Sequence, residues 1–187
     1  MKKEIFVSVD IESNGPIPGE YSMLSIGSAA FDSDGNMIGT HEANLETIPG
    51  AKEHPETMKW WATQREAWDN CHKDLQNPEQ AMNGYAKWLK ELPGQPVFVA
   101  YPAGFDFTFV SYYLNRFAGE NPFSFSALDI KSFAMAKLGT SFKETTKKRM
   151  PKEWFSKQLK HSHVALEDAI EQGYLFINML KSVDKPK

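Results

Sequence analysis

Apolar positions in the first third of the chain fall in short runs broken by turn residues. IFVSVD (5–10) is apolar, β-branched and aromatic, and predicts a buried strand. SNGPIPGEY (13–21), with two Pro and two Gly, predicts turns. SMLSIGSAAF (22–31) predicts a second strand, DSDG (32–35) a hairpin turn, and NMIGTHEANL (36–45) its partner. Strands joined by such short loops imply an antiparallel start.

The period then changes. HPETMKWWATQREAW (54–68) predicts one or two short helices, with Pro55 suited to the first helical position. In NPEQAMNGYAKWLKEL (77–92), Asn77 caps and Pro78 follows. Ala81, Tyr85, Trp88 and Leu89 make an apolar stripe. PVFVA (96–100) reads as a strand, and FDFTFVSYYLNRFAG (105–119) as a helix stopped by Gly119. ALDI (127–130) is a short strand before a helix over 131–139, and VALEDAIEQGYLFINML (164–180) is a final amphipathic helix. Antiparallel strands followed by alternating strands and helices imply a mixed sheet with helices packed on it. Residues 140–152 look least structured, 1–181 read as one domain, and 182–187 read as a flexible tail.

Composition is that of a globular protein: 187 residues, 41% hydrophobic, 24% charged. Such a chain buries about 70% of its unfolded surface without disulfide or structural metal. Cys71 is the one cysteine, which excludes an internal disulfide and fits a reducing cytoplasm. The apolar run IFVSV is too short for a signal-peptide core, and no run approaches the roughly 18 residues of a membrane span. A cytoplasmic protein with no membrane partner is the expectation.

The net charge of −3 is unevenly spread. Residues 137–161 carry eight Lys and Arg against two Glu, a net +6 that leaves −9 for the remainder. A basic segment on an acidic body points to a polyanion partner, although a solvated surface has the same pattern.

The candidate chemistry lies in three places. Strand residues i and i+2 face one side, so Asp10 and Glu12 project together if the first strand continues through them. Two ionised carboxylates repel unless water or a cation lies between them, and their oxygens suit Mg²⁺ or Mn²⁺. The same pair at a strand end also occurs without metal. Asp106 opens a helix after a strand and a Pro/Gly turn, where α/β sheets gather ligand groups. An Asp there also favours any helix N-terminus. In HSHVALEDA, His163 precedes the last helix. Asp168 lies inside that helix, beside a stripe of Leu166, Ala169, Ile170, Gly173 and Leu175. A charge there needs a partner.

Together these segments, strand-DxE, FD opening a helix and H-x4-D at the last helix, resemble the DEDDh branch of the DnaQ-like 3′–5′ exonucleases. The match runs through nearly the whole chain. The resemblance implies a ribonuclease H-like α/β fold: a mixed five-stranded sheet, three antiparallel strands first, flanked by helices. It implies a metal-dependent enzyme releasing nucleoside 5′-monophosphates from nucleic acid with a free 3′ end, RNA or DNA. Asp10, Glu12, Asp106 and Asp168 would hold two divalent ions, Mg²⁺ or Mn²⁺, about 3.5–4 Å apart, with Asp10 bridging. His163 would be the general base. His161 competes for that role, but is two residues too far from Asp168 for H-x4-D. The sister branch carries Tyr where this chain has Val164.

The resemblance further implies that the chain around Ser13 and Asn14 cradles the terminal nucleotide, and that two copies pair as in many relatives. Many relatives carry His-Asn where this chain reads Tyr101-Pro102, so the pocket near the terminal sugar differs; Tyr101 and Phe105 are expected to line it. Adjacent Trp60 and Trp61 cannot share a helix face, so one is core and the other exposed. An exposed aromatic there could stack on a base, the alternative being two partly buried packing residues, and Trp61 is the one counted among the substrate contacts. Lys147, Lys148 and Arg149 are expected to track phosphates. The rival readings are a non-catalytic nucleic-acid-binding module, a partner-dependent proofreading or accessory subunit, and an aspartyl phosphatase, whose D-x-D pattern Glu12 breaks.

Overall fold

The computed structural model describes residues 3–156 and 162–182. Five strands form one sheet: β1 (Glu4–Ser13), β2 (Met23–Phe31), β3 (Met37–Asn44), β4 (Gln95–Ala100) and β5 (Ala127–Asp129). Their order is β3-β2-β1-β4-β5, with β1–β2 and β2–β3 antiparallel and β1–β4 and β4–β5 parallel. The strand that opens the chain is therefore central.

Alternation along β1 divides its side chains between two helical layers. Ile5, Val7, Val9 and Ile11 pack with α3 (Pro78–Glu91) and α4 (Ala103–Tyr113). Burying each contributes about 1.5–3 kcal/mol. The other face of the sheet, with Ala29, Phe31 and Val99, carries α5 (Ile130–Leu138) and α6 (Ala165–Lys181). Covering both faces explains why β1 reads as an almost continuous apolar run. No described helix is long and apolar enough to cross a membrane.

Several expectations are refined. The segment 54–68 forms two helices, α1 (Pro55–Trp61) and α2 (Arg65–Cys71). They break where Thr63 donates its hydroxyl to the Trp60 carbonyl at 2.7 Å, drawing it from the helical ladder. Helix α4 starts two residues early because Asp129 caps two helices. Its Oδ2 accepts from the Ala103 N–H at 2.9 Å, and its Oδ1 accepts from the Ser132 N–H at 2.7 Å. After α4 the chain continues as a π-helical turn, Leu114–Ala118, ended by Gly119 at φ +70°. Residues 140–152, expected to be the least structured internal stretch, hold no α-helix or strand. Three 3₁₀ turns run through and just past them, and Met150 and Trp154 are buried against α6 and its neighbours. Of the expected tail, Ser182 hydrogen-bonds the end of α6, and the rest lies outside the described residues.

Leu24, Trp61, Ala67 and Cys71 form a small third core that fixes α1 and α2 to β2. Cys71 is 1% exposed with Ser25 Oγ at 3.6 Å, and burial pushes its thiol up to about 11.

Candidate active site

Strand β1 runs on through Ser13, so Asp10 and Glu12 share the face that α6 covers. Their cross-strand partners are Gly27 and Ser25. Gly27 makes the arrangement sterically accessible: a Cβ there would lie 2.2 Å from the Ala165 carbonyl carbon and 2.2 Å from the Leu166 nitrogen. The first turn of α6 thus lies directly on β2 beside Asp10. Gly173 does the same further along α6, where a Cβ would meet the Phe31 ring at 2.2 Å.

Asp106 arrives from the first turn of α4 and is buried. The β1–β4 ladder ends at Ser8–Val99. Beyond it the Ile11 N–H donates to Asp106 Oδ1 at 3.1 Å, which fixes the carboxylate against the strand end. Asp168 is 0% exposed. Its Oδ1 accepts from the Ser162 N–H at 2.8 Å and its Oδ2 from the His163 N–H at 2.9 Å. The carboxylate thereby shapes the approach to its own helix and holds His163 at φ +59°, a left-handed conformation in which Asn, Asp and His are the commonest residues after Gly.

Ligand atoms of Glu12, His163 and Asp168 lie within 4.8 Å of one another. The His163 ring meets Trp60 edge-to-face, with centroids 4.9 Å apart at 84°. Trp60 in turn meets Trp61 at 4.7 Å. The Trp61 Nε1–H donates to the Ser13 carbonyl at 2.9 Å. An aromatic chain therefore connects the histidine to the end of β1.

Burial and mutual repulsion act on these acids. Burial, then Asp168 and Asp106, pushes Glu12 up to about 9. Burial pushes Asp106 up to about 7, with the Ile11 N–H opposing. Asp10 is raised well above the ordinary carboxylate range by burial, then by Asp106, Glu12 and Asp168. A hard-oxygen donor set whose members resist ionising together fits divalent cations, which would supply the missing positive charge.

The expected substrate residues are placed as follows. Trp61 is 2% exposed, buried in the third core by its indole hydrogen bond and by Trp68; Trp60, 38% exposed, is the surface member of the pair. The Ser13 hydroxyl donates to the Gly15 carbonyl at 2.8 Å, and Asn14 Oδ1 accepts from the Ser22 N–H at 2.7 Å, so both side chains serve the turn itself. Phe105 is exposed on α4. Tyr101 is half-buried and donates its hydroxyl to the Thr145 carbonyl at 2.7 Å. Lys147 pairs with Glu171 and Arg149 with Glu144, while Lys148 is exposed. His161 lies outside the described residues. Gln172, one turn after Asp168, donates to Asp10 Oδ1 at 2.7 Å and escaped the sequence reading. Local pattern shows only a polar residue four positions from Asp168, and nothing in it names the distant partner.

The five-stranded mixed sheet, with buried carboxylates at the end of its central strand, has the fold of solved exonuclease domains. Among solved structures, the nuclease domain of 3′hExo, a DEDDh family member bound to rAMP, superposes with a TM-score of 0.73 at 8% identity. That alignment covers 96% of this chain and 92% of the other. Escherichia coli exonuclease I in complex with a dT13 oligonucleotide gives 0.66 at 18% identity over 96% of this chain and 40% of the larger protein. In sequence, the 3′–5′ DNA exonuclease Cap18 of Escherichia coli is 34% identical over 190 residues, 99% of this chain and 96% of that protein. Residues 5–180 match the 3′–5′ exoribonuclease Rv2179c-like domain, and the chain belongs to that family of 3′–5′ exonucleases.

The close approach at Gly27 carries an expected result. Gly27→Ala forces the α6 N-terminus, and Asp168 with it, away from β1. A displacement on the order of 1 Å at a reacting centre costs about 10²-fold in rate. Nuclease turnover in the folded variant should fall by about that factor, and wild-type turnover would contradict the packing argument.

Proposed function

We propose that the chain hydrolyses the terminal phosphodiester of a nucleic-acid strand at its 3′ end by a two-metal mechanism, with His163 as general base. The observation that carries this reading is the convergence of Asp10, Glu12, Asp106 and Asp168, all buried, with His163 against two of them. Asp10, Glu12, Asp106 and Asp168 would hold two divalent ions, Mg²⁺ or Mn²⁺. When bound, such ions stabilise the attacking and leaving oxygens of the phosphodiester.

The chain's own groups do the rest. His163 accepts the proton of the attacking water, whose oxygen bonds to phosphorus as the bond to the 3′ oxygen of the preceding nucleotide breaks. The departing 3′ oxygen takes a proton from solvent, so the products are a nucleoside 5′-monophosphate and a strand one nucleotide shorter with a new 3′ hydroxyl. Trp60 braces the imidazole, and the left-handed backbone at His163 aims it toward Glu12 and Asp168. The backbone around Ser13 and Asn14 would receive the terminal nucleotide. Tyr101 and Phe105 would line its approach, and Lys148 would meet backbone phosphate; Lys147 and Arg149 join it only on leaving their acidic partners.

The test uses 5′-labelled single-stranded RNA and DNA of one sequence, side by side, with Mg²⁺ or Mn²⁺. The family's description names an exoribonuclease and Cap18's name a DNA exonuclease. The faster ladder of shortening products therefore assigns the sugar. No ladder on either strand from folded protein would favour a partner-dependent subunit or a binding module.

Metal linkage gives a second readout. An acid raised by folding binds more protons in the folded state, so the metal-free protein loses stability as pH rises from the unfolded carboxylate range near ~4 toward the value of about 9 at Glu12. Cations binding the ionised cluster offset that loss. Mn²⁺ at a hundred times its Kd stabilises by about 2.7 kcal/mol, or roughly 5–10 °C for a chain of this size. The shift should be larger at pH 8 than at pH 5, where protons compete. An equal shift at both pH values would place the bound ion elsewhere.

A further inference from the structure

Gln172 is a buried polar side chain that the proposed chemistry does not use. It lies on α6 one helical turn beyond Asp168 and is 1% exposed. Its Nε2 donates to Asp10 Oδ1 at 2.7 Å, and its Oε1 accepts from the backbone N–H of Tyr101 at 2.9 Å.

The second bond determines the first. Tyr101 immediately follows β4, and its backbone amide can only donate. An amide side chain flipped by 180° would set N–H against N–H at Tyr101 and oxygen against carboxylate at Asp10. One orientation satisfies both, and it presents a donor to Asp10. Tyr101 is itself anchored: its hydroxyl reaches the Thr145 carbonyl, and the Lys131 and Lys147 ammonium groups each lie 5.4 Å from its ring centre. The acceptor end of Gln172 is therefore tied to the sheet, and the donor end to a carboxylate that would help hold the ions.

We propose that Gln172 is a positioning residue for Asp10: by holding Oδ1 with a donor of fixed orientation, it sets the carboxylate's aim at the divalent ions. The proposal rests on the reading of Asp10 as a metal ligand. A group that orients a ligand carboxylate typically changes metal affinity by about 10–100-fold when removed.

The experiment is Mn²⁺ titration calorimetry on the full chain, with the metal-free melting temperature measured alongside. Gln172→Met keeps size and helix propensity but makes neither hydrogen bond, and it should bind Mn²⁺ about 10–100-fold more weakly. A Gln172 that merely ties α6 to β4 would lower the melting temperature and leave Mn²⁺ affinity at the wild-type value, which overturns the proposal. Should Gln172→Met not fold, Gln172→Asn reads the same quantity, because its amide is one methylene too short to bridge both partners. Asp10→Asn separates the two ideas. Wild-type Mn²⁺ affinity in Asp10→Asn removes the metal-ligand reading beneath the proposal. Weakened affinity there, with wild-type affinity in a folded Gln172 variant, overturns the role of Gln172 alone.

Discussion

Asp10→Asn is expected to lower hydrolysis by about 10³-fold or more while leaving the metal-free protein as stable as the parent, or more so. The first half follows from the proposed role. Losing one preorganised group that stabilises developing charge costs about 10²–10³-fold, and Asp10 would act through both ions. The second half follows from the electrostatics. Burial and three neighbouring acids already push Asp10 far above its ordinary range. A neutral amide removes that repulsion, and its oxygen still accepts from Gln172. Thermal melting in a chelating buffer, beside the nuclease ladder, checks both. A variant that stays active would remove Asp10 from the chemistry, and one that unfolds would make it structural.

His163→Asn is the second large effect. A positioned general base contributes about 10²–10⁴-fold, and turnover should fall within that range. Asn is the better replacement than Ala because residue 163 sits at φ +59°, a region Asn tolerates. The backbone N–H that reaches Asp168 is thereby kept, and the loss reports the imidazole rather than a collapsed turn. His161→Asn should leave turnover unchanged. The reverse pattern, with His161 essential and His163 dispensable, would transfer the base.

How much of this was legible in the sequence differs by residue. Asp10 and Glu12 were legible because a strand's period of two is short and β1 is buried on both faces, so few residues specify which way they point. The H-x4-D spacing carried the approach to α6 because the contact is local: Asp168 accepts from the N–H groups of residues 162 and 163. Trp60 and Trp61 were separable only by packing, since adjacency says that their faces differ but not which face meets the core. Gln172 was illegible for the reason it matters: its partners, Asp10 and Tyr101, are 162 and 71 residues away. The ion pairing within the basic segment was hidden in the same way. Local composition shows Lys147 as a cation awaiting an anion, whereas the fold brings Glu171 to it from α6. Met150 and Trp154, two apolar residues in a polar stretch without helical period, could not announce that they cover α6.

The buried Cys71 gives the molecule a built-in clock. Only a thiolate attacks an alkylating reagent. Cys71 is shielded by α1, α2 and β2 and raised to about 11. Modification must therefore wait for that corner to part, and its rate counts the openings. The corner includes Trp61, whose indole grips the end of β1 and whose neighbour Trp60 braces His163. Labelling timed with and without a 3′-ended oligonucleotide would record whether gripping a strand stills the wall behind the histidine, with no substitution anywhere in the chain.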